Sequence, residues 1–216
     1  MNLGLMQGRL SKPANGHIQE FPENWELEFA SLKECELAGV EWLITKGCAL
    51  DNPMYTSPVT AGSYPVMSIC LDTLVDKRII DENYLNENLV ALCETLLDCT
   101  PIRNITIPLL EESSMCDGAS RKTFCRLIKN IGDSSKYVEF FADKINNVHL
   151  KDRTYDAKTV SPLEGDTDFE TIFKSLKRIG YSGPYILQTA RSETGKEKQT
   201  ITEHKKIFED LYEKFV

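Results

Sequence analysis

The chain is short of positive charge: 25 lysines and arginines against 33 aspartates and glutamates leave a formal charge of −8 over 216 residues. A surface that follows a nucleic-acid backbone carries a basic excess, so this balance argues against nucleic acid as the main partner, although a local basic cluster can still hold one phosphate. Long apolar runs are missing too. None approaches the ~18 residues of a membrane-spanning helix, and the start MNLGLMQGRLSKP has no basic segment followed by the apolar stretch of a secretory leader. No C-x-x-C pair occurs among the seven cysteines at 35, 48, 70, 93, 99, 116 and 125. That odd count fits neither a disulfide framework nor a zinc finger; reduced, mostly buried thiols in a cytoplasmic protein are expected instead. The first turn, QGRLSKPANG, is neither G-x-G-x-x-G nor G-x-x-x-x-G-K-[ST], which argues against a dinucleotide or P-loop site.

What is present is ordinary for a folded chain, with 41% apolar and 27% charged residues. Low-complexity tracts and linkers are absent, so residues 1–216 are expected to form one domain. Short apolar runs alternate with longer amphipathic ones. Strands are expected at Asn2 to Leu10, Val40 to Thr45, Pro65 to Leu71, Ile102 to Leu110, Ile145 to Leu150 and Tyr185 to Thr189. Helices are expected at Asn24 to Leu37, with Asn24 as N-cap and Gly39 as stop, and at Glu82 to Leu97, Phe169 to Ile179 and Ile201 to Phe215. Strands separated by helices imply parallel pairing with right-handed crossovers. Polar residues gather just past the strands: Gln7 and Arg9, Glu41, Asp72, Glu111, His149 with Lys151 to Arg153, then Gln188 and Arg191. A β/α barrel builds its site from those loops. An open doubly wound sheet also places ligands at strand ends, and the missing glycine-rich turn favours the barrel.

Four stretches carry a family resemblance. They are GLMQGRLS from Gly4 with QEFP from Gln19; IPLLEE from Ile107; NVHLKDR from Asn147 with GDTDF from Gly165; and YSGPYILQTAR from Tyr181. In combination they resemble the sugar phosphate isomerases/epimerases of the xylose-isomerase-like TIM-barrel superfamily, which also includes endonuclease IV. Members run several tens of residues longer. Between Glu112 and Asn130 this chain has one short connection where a full barrel fits a helix, a strand and another helix. The expected fold is therefore α/β, an incomplete (β/α) TIM-type barrel of about seven strands with one β/α unit lost there. The gap is left open or is covered by the Met115 to Arg126 connection or by a partner chain, and the unpaired edge invites a homodimer.

The resemblance implies a divalent metal (Mn²⁺, Mg²⁺ or Zn²⁺) at the barrel mouth, held after strands five to eight by Glu, Asp, His and Glu. Here His149 matches the strand-seven ligand and Gln188 stands at the strand-eight position. The strand-six position falls on Asn130, with Asp133 three residues on as a substitute. The strand-five Glu lies in the missing unit. The implied metal set is His149, Asp133 and Gln188, with one ligand of four clearly present. Such a metal polarises a substrate carbonyl while a carboxylate moves a proton on the adjacent carbon; Glu111 is the candidate for that role, alongside His149 and Gln188. Gln7 and Arg9 stand where relatives contact sugar hydroxyls. Lys151, Arg153 and Arg191 are candidates to hold an anion such as a sugar phosphate, while an ion-pair cluster that fixes the loop explains Lys151 to Arg153 equally well. His17 and His204 read as surface residues. The expected function is a sugar or sugar-phosphate isomerase/epimerase acting through a metal-assisted enediol(ate). The alternative is a degenerate barrel that binds a sugar or a protein partner without turnover. A nuclease is disfavoured, since three histidines cannot build the His-rich metal cluster it would need.

Overall fold

The computed structural model describes residues 1–12, 20–45, 51–74, 96, 100, 102, 104–106, 108, 145–156 and 158–216. In chain order the elements are β1 (Leu3–Met6), α1 (Trp25–Glu34), β2 (Val40–Leu43), the short helices α2 (Pro53–Thr56) and α3 (Pro58–Gly62), and β3 (Val66–Cys70) with a 3₁₀ turn at Asp72–Leu74. Then come β4 (Ile105–Thr106), β5 (Val148–Leu150), β6 (Asp152–Arg153), β7 (Thr159–Val160), α4 (Phe169–Arg178), β8 (Tyr185–Leu187) and α5 (Glu197–Phe215).

Six strands make one sheet in the order β4-β3-β2-β1-β8-β5, and every pairing in it is parallel. The first strand pairs with the last, the connectivity of a sheet curling toward closure. How far it curls is visible inside, where Asn147, just before edge strand β5, brings its Nδ2 within 3.4 Å of Thr106 Oγ1 on the other edge strand, β4. The architecture is the incomplete β/α barrel that the strand and helix order implies. The connection at 112–130, where one unit is read as missing, lies outside the described residues, as does the segment at 127–135 that would supply a further strand.

The strands alternate. Leu3, Leu5, Val40, Trp42, Ile69, Leu71, Leu150, Tyr185 and Leu187 join the large core with Phe29 and Leu32 of α1, Phe173 and Leu176 of α4, and Ile201 and Phe208 of α5. The intervening residues Met6, Leu43, Cys70 and Ile186 form a second, smaller cluster within the barrel. This period of two is what a pleated strand imposes, and it leaves Glu41, Ser68, Thr106, Asn147, His149 and Gln188 in register with the inner cluster.

Local chemistry explains several boundaries. Helix α1 stops earlier than the expected Leu37, at Glu34, because Glu36 takes φ +53°. Asn24 is its N-cap position but makes no side-chain capping bond. Gly39 acts as something other than a helix stop: a Cβ there would sit 2.3 Å from Pro65 O, so glycine lets β2 enter beside the backbone leading into β3. Gly39→Ala is accordingly expected to cost about 3 kcal/mol, since the obstruction is main chain that cannot swing aside. Thermal unfolding should show it as a drop of roughly 9 °C. The β6–β7 hairpin has no counterpart in the sequence reading; its two-residue strands are too short to show a periodicity.

Candidate active site

The described residues of this centre come from five strands and their flanks, some inside the strands and one, Asn147, just before β5. Glu41, the second residue of β2, is fully buried. Its Oε1 accepts from Ser68 Oγ on β3 (2.8 Å), Thr106 Oγ1 on β4 (2.6 Å) and Asn147 Nδ2 (3.3 Å). Its Oε2 lies 2.8 Å from Nε2 of His149 on β5, an ionic contact in which neither atom has the alignment of a hydrogen bond. His149 Nδ1 faces Gln188 Oε1 at 3.2 Å, just beyond β8. One imidazole thus sits between a buried carboxylate and an amide, its side chain 22% exposed.

The electrostatics follow from this packing. Burial alone would raise the Glu41 pKa, but His149 and the Thr106 and Ser68 hydroxyls outweigh it and hold the carboxyl below its usual value. Burial alone would lower His149, and here Glu41 and Gln188 prevail and raise it.

A basic cluster lies alongside. Arg9 is buried, its Nε donates to Thr189 O at 3.2 Å, and burial, with Arg191 nearby, lowers its pKa to about 10. The half-buried Lys151 is lowered by desolvation and by the charges of Arg153 and Arg9, with Asp72 as the opposing carboxylate. Arg153 itself is exposed, on the β6–β7 hairpin. Arg191 donates through Nη1 to Gly8 O (2.6 Å) and Ser11 O (3.4 Å), and so grips the loop that carries Arg9. Gln7 is fully buried; its Oε1 accepts from Leu43 N at 3.0 Å while Nε2 has no partner.

His149, Gln188, Gln7, Arg9, Lys151, Arg153 and Arg191 all fall on the loops and strand ends of one rim. Glu111, Asn130, Asp133 and His17 lie outside the described residues. His204 corrects the expectation of a surface residue: it is 5% exposed, with Nδ1 2.8 Å from Thr189 Oγ1. Its place on the inner face of α5, packed over the β8 end, buries it. Within Lys151 to Arg153 the middle residue does the fixing. Asp152 is buried and accepts from Gly165 N (3.0 Å), Thr167 N (3.2 Å) and its neighbour Arg153 N (2.9 Å). The loop is therefore held by backbone donors to one carboxylate.

The sequence reading set Glu41 just past a strand without a role, whereas it lies inside β2, and it passed over Glu28. Glu41 was legible as a charge inside the apolar run VEWLIT, which alternation turns toward the barrel interior. Glu28 left no signal, because an acid in the first turn of α1 reads as a solvated helix face. It is 2% exposed instead and accepts from Gly8 N, Leu10 N and Ser11 Oγ.

The described residues hold only part of the implied metal set, since Asp133 lies outside them. Among the described residues no group of three His, Cys, Asp or Glu side chains could hold one. Of the implied set, His149 and Gln188 offer an imidazole with both nitrogens facing protein oxygens and a neutral amide. A divalent ion needs three or four ligands and favours anionic ones, so the described residues do not fit it.

No family model and no curated protein matches the sequence. Solved structures do resemble it. The IolI protein, described with a binding zinc atom, superposes with a TM-score of 0.64 at 13% identity, covering 100% of this chain and 99% of that one. A sugar phosphate isomerase/epimerase from Parabacteroides distasonis gives 0.61 at 13% identity, covering 95% and 96%. A xylose isomerase domain protein from Alicyclobacillus acidocaldarius gives 0.59 at 13% identity, covering 98% and 97%. The fold that these structures share with the chain is a β/α barrel of the TIM type. Fold likeness at this identity leaves the chemistry to be argued from the site itself. Among the described residues no helix is long and apolar enough to cross a membrane.

Proposed function

We propose that the chain is a sugar or sugar-phosphate isomerase/epimerase that works through an enediol(ate) at the carboxyl end of its barrel. The observation that carries this reading is the His149 imidazole, set between buried Glu41 and Gln188 beside the cations Arg9 and Lys151. A polar centre of this kind is costly to build in a barrel interior and suits a polyol whose oxygens must be gripped and whose charge must be met. The similarity to a solved sugar phosphate isomerase/epimerase supports it.

In the proposed reaction Glu111 takes the proton from the carbon next to the substrate carbonyl. The C–H electron pair becomes the C=C bond, and the carbonyl π pair moves to oxygen. Lys151 and Arg9 face that developing oxyanion with positive charge. Lys151 suits the part because its ammonium has no hydrogen-bond partner among the described residues. His149 Nδ1 relays the hydroxyl proton between the two enediolate oxygens. Return of the proton by Glu111 to the neighbouring carbon gives the isomer; the epimer would require a second acid/base group on the opposite face of the enediolate. Gln188, which cannot act as a base at neutral pH, orients the imidazole.

The test is proton exchange followed by NMR in D₂O, over a panel of ketoses and ketose phosphates. Wild-type protein is expected to deuterate the carbon adjacent to the carbonyl of at least one substrate. His149→Ala is expected to slow that exchange by roughly 10²- to 10⁴-fold, with its circular dichroism spectrum unchanged. Binding of a panel member without deuteration by wild-type protein would overturn the catalytic reading in favour of a sugar-binding barrel.

A further inference from the structure

Helix α5 buries Ile201, His204 and Phe208 on one face. Ile201 and Phe208 belong to the large core, and a leucine at 204 would continue their apolar stripe. A buried imidazole in that place costs desolvation unless it is bonded. The bond is there: Nδ1 lies 2.8 Å from Thr189 Oγ1. Burial lowers the pKa of the ring against the pull of Glu203 and Glu164, so a neutral imidazole meets the hydroxyl at neutral pH. The pair can form in either sense, because a hydroxyl both donates and accepts.

Thr189 carries the contact onward. It is buried and stands just beyond Leu187, the last residue of β8 in register with β1 and β5. Its carbonyl accepts from Nε of the buried Arg9 at 3.2 Å. A residue past the end of the sheet's pairing is thus tied by its side chain to α5 and by its main chain to the loop after β1. The Nε–H bond lies in the plane of the rigid guanidinium, so the direction of the accepting carbonyl sets how that plane faces.

We infer that His204 is a positioning residue that acts through Thr189: it anchors the hydroxyl to α5 and so fixes the carbonyl that orients Arg9. No part of this link needs the His204 ring to touch substrate. Its consequence for turnover rests on the enediol reading above, in which Arg9 faces the developing oxyanion; the link itself does not. An interaction met only as that charge develops lowers kcat when it is lost and leaves KM in place.

His204→Leu and Thr189→Val each cut the link at one end while keeping an apolar side chain of similar size. His204→Asn keeps it, since an asparagine amide reaches the place of Nδ1 and can pair with the hydroxyl. The direct readout on the full-length protein is exchange of the Arg9 Nε–H with water, followed by ¹H–¹⁵N NMR and assigned by loss of the signal in Arg9→Lys. That proton is expected to be protected in wild type and H204N, and to exchange roughly 10-fold or more faster in H204L and T189V. In the deuteration assay H204L is expected to lower kcat by roughly 10- to 100-fold with KM within about 2-fold, and H204N to restore most of it. The H204L/T189V double variant is expected to match either single one, because both remove the same contact.

An Arg9 Nε–H as protected in T189V as in wild type overturns the inference, and does so even should H204L fail to fold. Losses that add in the double variant also overturn it, since His204 would then act elsewhere. An Arg9 Nε–H that loosens as expected, in a protein that deuterates no substrate, refutes the enediol reading and leaves the positioning role of His204 standing.

Discussion

Asn52→Ala is expected to lower the stability of the protein by about 4 kcal/mol, because it strands buried polar groups of two other residues. Asn52 is fully buried at the N-cap of α2. Its Oδ1 accepts from Trp42 Nε1 (2.8 Å) and Met54 N (3.0 Å), and its Nδ2 donates to Leu43 O (2.9 Å). Alanine leaves the indole N–H of fully buried Trp42 and the carbonyl at the end of β2 with neither partner nor water. It also removes the cap, which alone contributes about 1 kcal/mol. Asn52→Asp should recover only part of the loss, since a carboxylate can receive the indole and Met54 but opposes the Leu43 carbonyl. Thermal unfolding is expected to show a fall of roughly 12 °C for alanine, with aspartate between the two. A shift of only a degree or two would mean that β2 and α2 relax to bring in water. The site should feel the change as well, because Leu43 N, on the same residue, is held by Gln7 Oε1 at 3.0 Å.

Glu28→Ala is the second large effect, and it joins stability to function. Glu28 collects Gly8 N at 2.8 Å, Leu10 N at 3.0 Å and Ser11 Oγ at 3.0 Å. Arg191 holds the same loop by its carbonyls, at Gly8 O and Ser11 O. The loop is thus gripped on its N–H side by a carboxylate from α1 and on its C=O side by a guanidinium from beyond β8. Gly8 has φ +84°, and a Cβ there would come 2.6 Å from Glu20 O, so glycine is required for the turn that exposes these groups. Burial pushes the Glu28 carboxyl up, against the pull of its Gly8, Ser11 and Leu10 donors and of Arg191. Removing the carboxylate leaves two backbone donors unpaired, at an expected cost of about 3 kcal/mol. It also frees the backbone that carries Arg9, so on the proposed function the exchange rate should fall with a raised KM. Hydrogen exchange at Gly8 and Leu10 is the direct measurement. Protection there equal to wild type would show that Arg191 alone suffices to hold the loop.

Residue pattern made much of this legible. Alternation along VEWLIT, NVHL and YILQT separates the residues that pack on helices from those inside the barrel, because a pleated strand sends neighbours to opposite faces. The order of strands and helices dictates parallel pairing, since a parallel neighbour can be reached only by a crossover. With both in hand, Gln7, Arg9, His149, Lys151, Gln188 and Arg191 fall at one end of the barrel before any coordinate is known. The strong periodicity of Phe169–Arg178 likewise marks α4, whose Phe169, Phe173 and Leu176 are the buried residues.

The sequence by itself determined the fold class and the strand ends at which the polar residues gather. Only the tertiary structure decided who touches whom. Glu41 meets His149 across 108 positions of chain because curling brings β2 and β5 to opposite sides of one narrow interior. Glu28 is buried because the β1 loop folds back over the first turn of α1, and His204 because α5 lies against the β8 end. Local pattern fixes the face on which a side chain stands, since that depends only on backbone geometry. It cannot fix the partner on that face, because a partner is supplied by chain closure between residues whose separation in sequence carries no periodic signal.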